Sequence, residues 1–252
     1  MGAPVSGGRA LALLFAHPDD ETFAAGGAVA AYAAAGVACH LFCATDGDAG
    51  KSSGIGVATR AELGRLRRAE LAEAAGILGI RSVHLAGHAD GALPEYDADA
   101  LTGELVAFLR EHRPQVVITF GPEGAPNGHR DHRALSRAAT AAFHLAARPT
   151  AYPEQLAAGR RVHQAARLYY VTWEPPPLDD PRRLEGVPAT ARVDTRARHA
   201  TKRAAFRAHR TQAMHEATFE RLSMTPDELY ALAGGTPQRA AVVADLFDGL
   251  PD

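Results

Sequence analysis

Apolar residues fall along the chain in two alternating rhythms. Runs of strand length at residues 10–16, 37–44, 80–86 and 115–120 are separated by longer segments of helical periodicity at 22–35, 60–78 and 97–113. Gly79 stands directly after the second of these helices, where a glycine commonly ends a helix. The β-α-β-α rhythm predicts an α/β, Rossmann-like, mostly parallel sheet with helices on both faces.

The second half continues with a helix over 133–147 and a strand over 168–173, the latter rich in aromatic and β-branched residues. Residues 174–188 carry Pro175, Pro176, Pro177, Pro181 and Pro188, which forbids regular structure and reads as a connector or rim loop. A short strand at 191–193 follows, then helices over 196–214, 227–232 and 238–246. Thr225 suits the N-cap of the second of these, with Pro226 at its first position and Asp227 and Glu228 facing the positive end of the dipole. The expectation is one domain over 1–252, with a helical C-terminal part from about 195.

Composition narrows the classes. A chain of 252 residues with 46% hydrophobic and 22% charged residues can bury a sizeable core and is neither fibrous nor disordered. The formal net charge of -2 argues against nonspecific nucleic-acid binding, which needs an excess of cations. No uncharged apolar stretch reaches 18 residues and the N-terminus lacks a secretory pattern, so neither a membrane partner nor export is expected. Gly2 with Ser6 is a two-position match to a myristoylation pattern, outweighed by a plain leader of small residues. Cys39 and Cys43 sit about 13 Å apart if extended, too far for a disulfide. These features fit a reducing, cytoplasmic setting.

Chemistry concentrates in two loops that each follow a strand. Ala16-His17-Pro18-Asp19-Asp20-Glu21 lies at the carboxyl end of the first strand, where doubly wound sheets bind ligands. His17 and Asp20 offer a nitrogen and an oxygen across a turn stiffened by Pro18, so both can converge on one ion. An acid here could instead cap the following helix, but a cap needs one acid, and four polar groups repel one another without a cation. The second loop reads Pro126-Asn127-Gly128-His129-Arg130-Asp131-His132, and either His129 or His132 could supply a third ligand. Three protein ligands with an open position describe a catalytic zinc, beside which Asp19 is available as a base.

Together the two motifs resemble the LmbE/PIG-L family of zinc-dependent N-deacetylases. The resemblance extends through Thr45-Asp46-Gly47-Asp48-Ala49-Gly50, Arg67-Arg68-Ala69-Glu70-Leu71, Asp90-Gly91 and the segment from Lys202 to His209-Arg210-Thr211-Gln212. It departs at Asp48, where Glu is usual, and at Arg130, where Pro is common. Carried over by position, it implies one Zn2+ per chain on His17, Asp20 and His132, with other divalent metals possible. It also implies Asp19 as general base and then acid, His129 as oxyanion partner when protonated, and Asp131 orienting one of the two histidines. Arg67 and Asp90 would contact the sugar. The implied reaction removes an acetyl group from an N-acetylglucosamine-type sugar or conjugate, a small-molecule partner, in a homo-oligomeric enzyme. The alternatives are a mycothiol-conjugate-type amidase on the same site and a non-catalytic sugar- or nucleotide-binding module. The latter is disfavoured because the first turn is acidic rather than glycine-rich. Lys202, Phe206, His209 and Ala213 form one helical stripe, with Arg196, Arg198, Arg203, Arg207 and Arg210 around it; the expectation there is a solvated basic face anchored by Phe206.

Overall fold

The computed structural model describes residues 8–124, 127–173 and 187–251. Seven strands form one sheet: β1 (Ala10–Phe15), β2 (Ala38–Thr45), β3 (Ser82–His88), β4 (Val116–Phe120), β5 (Arg167–Thr172), β6 (Ala191–Asp194) and β7 (Asp227–Gly235). Their order is β3-β2-β1-β4-β5-β7-β6, with the first five parallel and β7 antiparallel to both its neighbours. The helices are α1 (Asp20–Ala34), α2 (Arg60–Leu78), α3 (Ala98–His112), α4 (Arg130–Leu145), α5 (Pro153–Ala157), α6 (His199–Ala208) and α7 (Glu216–Leu222).

Strand period decides which helix covers which face. Leu11, Leu13 and Phe15 pack with Val29, Leu71 and Ala205 from α1, α2 and α6, whereas Ala12 and Leu14 pack with Leu105 and Leu135 from α3 and α4. Both faces are therefore covered, as the alternating rhythm requires. The order reverses at β1: β2 lies to one side of it and β4 to the other. The loops leaving β1 and β4 flank this switch point, where doubly wound sheets leave a crevice.

The C-terminal part departs from expectation. Residues 227–235 form strand β7 between β5 and β6, not a helix, and residues 238–246 hold no helix. Glu228 and Tyr230 are buried while Asp227 and Leu229 are less so, a period of two. Backbone pairing on both edges outweighs the local signal, and the Thr225 hydroxyl donates to the Asp227 carbonyl instead of capping a helix. The helix expected over 196–214 is confined to α6, flanked by 3-10 turns at Arg196–Arg198 and Arg210–His215. The proline-rich connector lies outside the described residues over 174–186, as does the leader carrying Gly2 and Ser6. Among the described residues no helix is long and apolar enough to cross a membrane.

The basic stripe is likewise only half solvated. Arg203, Arg207 and Arg210 pair with Glu220, Glu216 and Glu73 near the surface. Lys202 is fully buried, its ammonium donating to Glu228 at 2.6 Å and to the Ser223 carbonyl at 2.6 Å. Glu228 also accepts from the backbone N–H groups of Gly27 and Ala28 in α1 and from the Tyr230 hydroxyl. The acid that neutralises Lys202 lies 26 residues away, beyond reach of any helical spacing. Lys202→Met keeps the stem and strands a buried carboxylate, so urea unfolding should show a loss of about 3–5 kcal/mol.

On the outer side of β2, His40 stacks on His112 at 4.2 Å and its Nδ1 contacts the Ser82 hydroxyl at 2.7 Å. Burial, His112 and Arg81 push its pKa from 6.5 down to about 4. In that window the unfolded chain binds the proton and the folded one does not, so stability falls as pH drops from about 6.5 towards 4. Urea midpoints between pH 7 and 4 should decline less steeply in His40→Asn than in the wild type.

Candidate metal centre

The turn after β1 is built around Asp20. Its Oδ2 accepts the backbone N–H groups of Ala16 at 3.1 Å and His17 at 2.7 Å, folding the side chain back over the turn. Thr45 at the end of β2 secures the other side, its N–H and hydroxyl both donating to the Ala16 carbonyl. Asp19 occupies the N-cap position of α1, but at φ 119° and without a side-chain bond to the helix. Such a backbone state costs a non-glycine residue about 1–3 kcal/mol and persists only where neighbours hold it. The capping alternative thus fails for Asp19, whose carboxylate is left for the crevice.

The turn after β4 brings the second motif onto the first. His132, in the first turn of α4, stacks flat on Phe120 with ring centroids 3.9 Å apart and planes 9° apart. Its Nε2 lies 3.2 Å from His17 Nδ1 and 3.3 Å from Asp20 Oδ1, and His17 Nδ1 lies 3.5 Å from Asp20 Oδ2. A tetrahedral ion bound at 2.0–2.1 Å separates its donors by about 3.3 Å. Two nitrogens and a carboxylate at that spacing fit a divalent cation. All three residues are buried, at 8%, 8% and 4% exposure for His17, Asp20 and His132.

The far edge of His17 completes the fit. Its Nε2 faces Asp90 Oδ1 at 3.1 Å and Asp131 Oδ2 at 3.3 Å, which keeps a proton on Nε2 and makes Nδ1 the nitrogen whose proton a bound cation would displace. Burial lowers the His17 pKa, but hydrogen bonds to Asp131, Asp20 and Asp90 carry it well above its ordinary value. Asp131 also accepts from the N–H groups of Gly91 at 2.6 Å and Leu93 at 3.2 Å, so it ties the loop after β3 to α4. Of the histidines it could orient, its carboxylate reaches His17, in the other motif. Two overlapping sets, His17 with His129 and His132, and His17 with Asp90 and Asp131, also place one donor each within 4.8 Å. The contacts of Asp20 use both its oxygens, Oδ1 toward His132 and Oδ2 toward His17.

His129 is half-buried, its Nδ1 accepting from the Asp131 N–H at 3.2 Å. Burial, His17 and His132 lower its pKa, so the ring is neutral here with its proton on Nε2, a donor without being charged. The protonated state expected of it is not required. Burial raises the Asp19 pKa to about 6, opposed by Arg67 and supported by Asp20.

Arg67 and Asp90 belong to the frame of the site. Arg67 is buried, donating to the Gly47 carbonyl at 2.9 Å, to the Pro18 carbonyl and to Asp19 Oδ2 at 3.2 Å, with Nε left without a partner. Gly47 is required twice: its φ is +64°, and a Cβ there would lie 2.4 Å from the guanidinium. Asp90 accepts from the Ala49 N–H, while Asp48 accepts from the Asp90 N–H at 3.0 Å and holds Arg60 with both oxygens. The shorter acid at Asp48 therefore still bridges the two loops, and Arg130 pairs with Glu95 outside the crevice. The sequence reading assigned no role to Glu21 or Glu70. Glu21 is fully buried against His209, and Glu70 accepts from the Thr211 N–H and hydroxyl. The signal was present in the Arg-x-x-Glu and His-x-Thr-Gln patterns, whose polar residues turn inward.

Fold and site together define a Rossmann-like α/β protein with a His/Asp centre of metal-binding type at its switch point. Residues 12–143 match the PIG-L family model, described as GlcNAc-PI de-N-acetylase, and the chain belongs to this family. It is 35% identical to 1D-myo-inositol 2-acetamido-2-deoxy-alpha-D-glucopyranoside deacetylase of Rhodococcus jostii, across 81% of this chain and 82% of that one. The N,N'-diacetylchitobiose deacetylase of Pyrococcus horikoshii shares the fold at a TM-score of 0.75 and 20% identity, covering 89% of this chain and 83% of that one. GalB, the 4-carboxy-2-hydroxymuconate hydratase of Pseudomonas putida KT2440, shares it at 0.67 and 21% identity, covering 92% and 98%. A deacetylase and a hydratase on one scaffold mean that the reaction has to be argued from the site.

Proposed function

We propose that this chain is a zinc-dependent N-deacetylase that hydrolyses the acetamide of an N-acetylglucosamine-type sugar or conjugate. The observation that carries this reading is the triangle of His17 Nδ1, Asp20 and His132 Nε2, with the carboxylate of Asp19 on the adjoining residue. Its donors suit zinc, and iron or cobalt would also be accepted. The acetamidoglucose substrate class is supported by the relatives, all the more by the Rhodococcus enzyme, which aligns over most of both chains.

When bound, zinc supplies Lewis acidity toward water and toward the acetyl carbonyl. The chain's own groups do the rest. Asp19 takes the proton of the attacking water and returns it to the nitrogen as the C–N bond breaks, leaving acetate and a primary amine. His129 donates its Nε2 proton in a hydrogen bond to the carbonyl oxygen as charge develops there. Asp131 and Asp90 hold the His17 ring in the tautomer that leaves Nδ1 free. Arg67 supports the substrate through Asp19 and the Gly47 loop, which its two terminal nitrogens hold.

The direct test is release of primary amine from N-acetylglucosaminyl-inositol and N,N'-diacetylchitobiose, with and without a chelator. Activity should vanish on chelation and return with zinc, and Asp19→Asn should retain the metal while losing about 10²–10⁴ in turnover. Chelator-resistant hydrolysis, or full activity in that variant, would refute the assignment. In Asp131→Asn the His17 Nε2 edge loses one of its two charged partners, and competition with a chromophoric chelator should show metal affinity about 10–100-fold weaker.

A further inference from the structure

Glu21 and His209 form a buried ion-pairing contact that the mechanism above does not use. Both are fully buried, and His209 Nε2 lies 2.7 Å from Glu21 Oε1. The other oxygen of Glu21 accepts the backbone N–H of Asp19 at 3.0 Å. That residue has the left-handed φ of 119°, which an aspartate rarely adopts. An acid just inside a helix that reaches back to the N-cap N–H makes the contact of a capping-box acid, here from one position earlier than usual. The reciprocal contact is missing here, because the Asp19 carboxylate makes no bond to the helix N–H groups.

The competing conformer is therefore easy to name. With an ordinary negative φ, Asp19 would become a regular N-cap and its carboxylate would satisfy α1 instead of facing the crevice. Two arms oppose that rotation: Glu21 on the backbone N–H, and Arg67 on the Asp19 carboxylate and the Pro18 carbonyl. The segment after α6 holds the first arm directly and touches the helix that carries the second. His209 holds Glu21, and two positions later Thr211 holds Glu70, which stands one helical turn from Arg67 on α2.

We propose that Glu21 and His209 are positioning residues that keep Asp19 out of its helix-capping conformer and aimed at the reaction centre, so that the segment after α6 sets the base. This rests on the assignment of Asp19 as the base. Glu21 touches no substrate; its effect runs through Asp19 alone.

A double-mutant cycle tests it, with turnover, KM and metal content measured for each protein. Glu21→Ala should lower kcat by about 10–100-fold, the scale of a misplaced catalytic group, with KM and bound zinc unchanged. In the Asp19→Asn background the same substitution should change kcat by less than about 2-fold, since the group it positions is gone. Equal losses in both backgrounds, unchanged kcat in the single variant, or loss of zinc in parallel would each overturn the inference. Wild-type turnover in Asp19→Asn removes the base assignment itself, an outcome separable from additivity. His209→Ala enters the same cycle with the same criteria should Glu21→Ala fail to fold. In the metal-free protein, proton NMR should show a slowly exchanging His209 Nε2 proton in wild type and Asp19→Asn, lost in Glu21→Ala. Its absence from wild type would also overturn the inference.

Discussion

The pairing of β1 with β4 is the constraint on which the rest of the molecule depends. Leu11, Ala12 and Leu13 lie beside Val116, Val117 and Ile118, so the two strands end side by side. His17 and Asp20 leave one strand end and His132 follows the other, 115 residues apart in sequence between the two histidines. Among the described residues, the clusters of three donors each combine different loops rather than one alone. Strand register, fixed by residues buried on both faces, brings them to within bonding distance of one point.

Such a site concentrates charge where water is scarce, and the surrounding backbone answers it. Asp20 takes two N–H groups of its own turn, Asp131 takes Gly91 and Leu93, and Glu228 takes Gly27 and Ala28. A carboxylate accepting two backbone donors is stabilised in its charged form, which lets it remain an anion in the interior. The same donors fix its position, so the electrostatic solution and the geometric one coincide. Loops carrying Gly47, Asp90 and Gly91 are thereby held without secondary structure of their own.

Much of this was legible in the sequence. The strand and helix rhythm from Ala10 to Leu145 follows from burial on both faces of a parallel sheet, and the two loops of the candidate centre announce themselves by the density of His and Asp after strands. Features set by distant partners were not. Thr225-Pro226-Asp227-Glu228 carries a good local helix signal, yet β5 and β6 recruit it as a strand. Lys202 looks solvated until Glu228 is found beside it, and which histidine Asp131 faces stays open until the fold delivers His17. Local propensity predicted elements well where the chain folds on its near neighbours and failed where pairing comes from far away.

The shared scaffold of a deacetylase and a hydratase shows that the sheet and its crevice do not choose the reaction. Amide hydrolysis makes a particular demand, because the nitrogen leaves only as it gains a proton. One group must take a proton early and return it late, and it does so best with a pKa near the working pH. A solvated aspartate is too acidic to give the proton back. Burial of Asp19 shifts its pKa up to about 6, while Arg67 keeps it from rising further. The rotation that would relieve the strained backbone would also turn this carboxylate to the helix, and with it the poise that burial creates. Strain, burial and the buried contact of Glu21 with His209 are therefore parts of one arrangement, in which stability given up at a single turn is what would make that residue useful as the base of the proposed reaction.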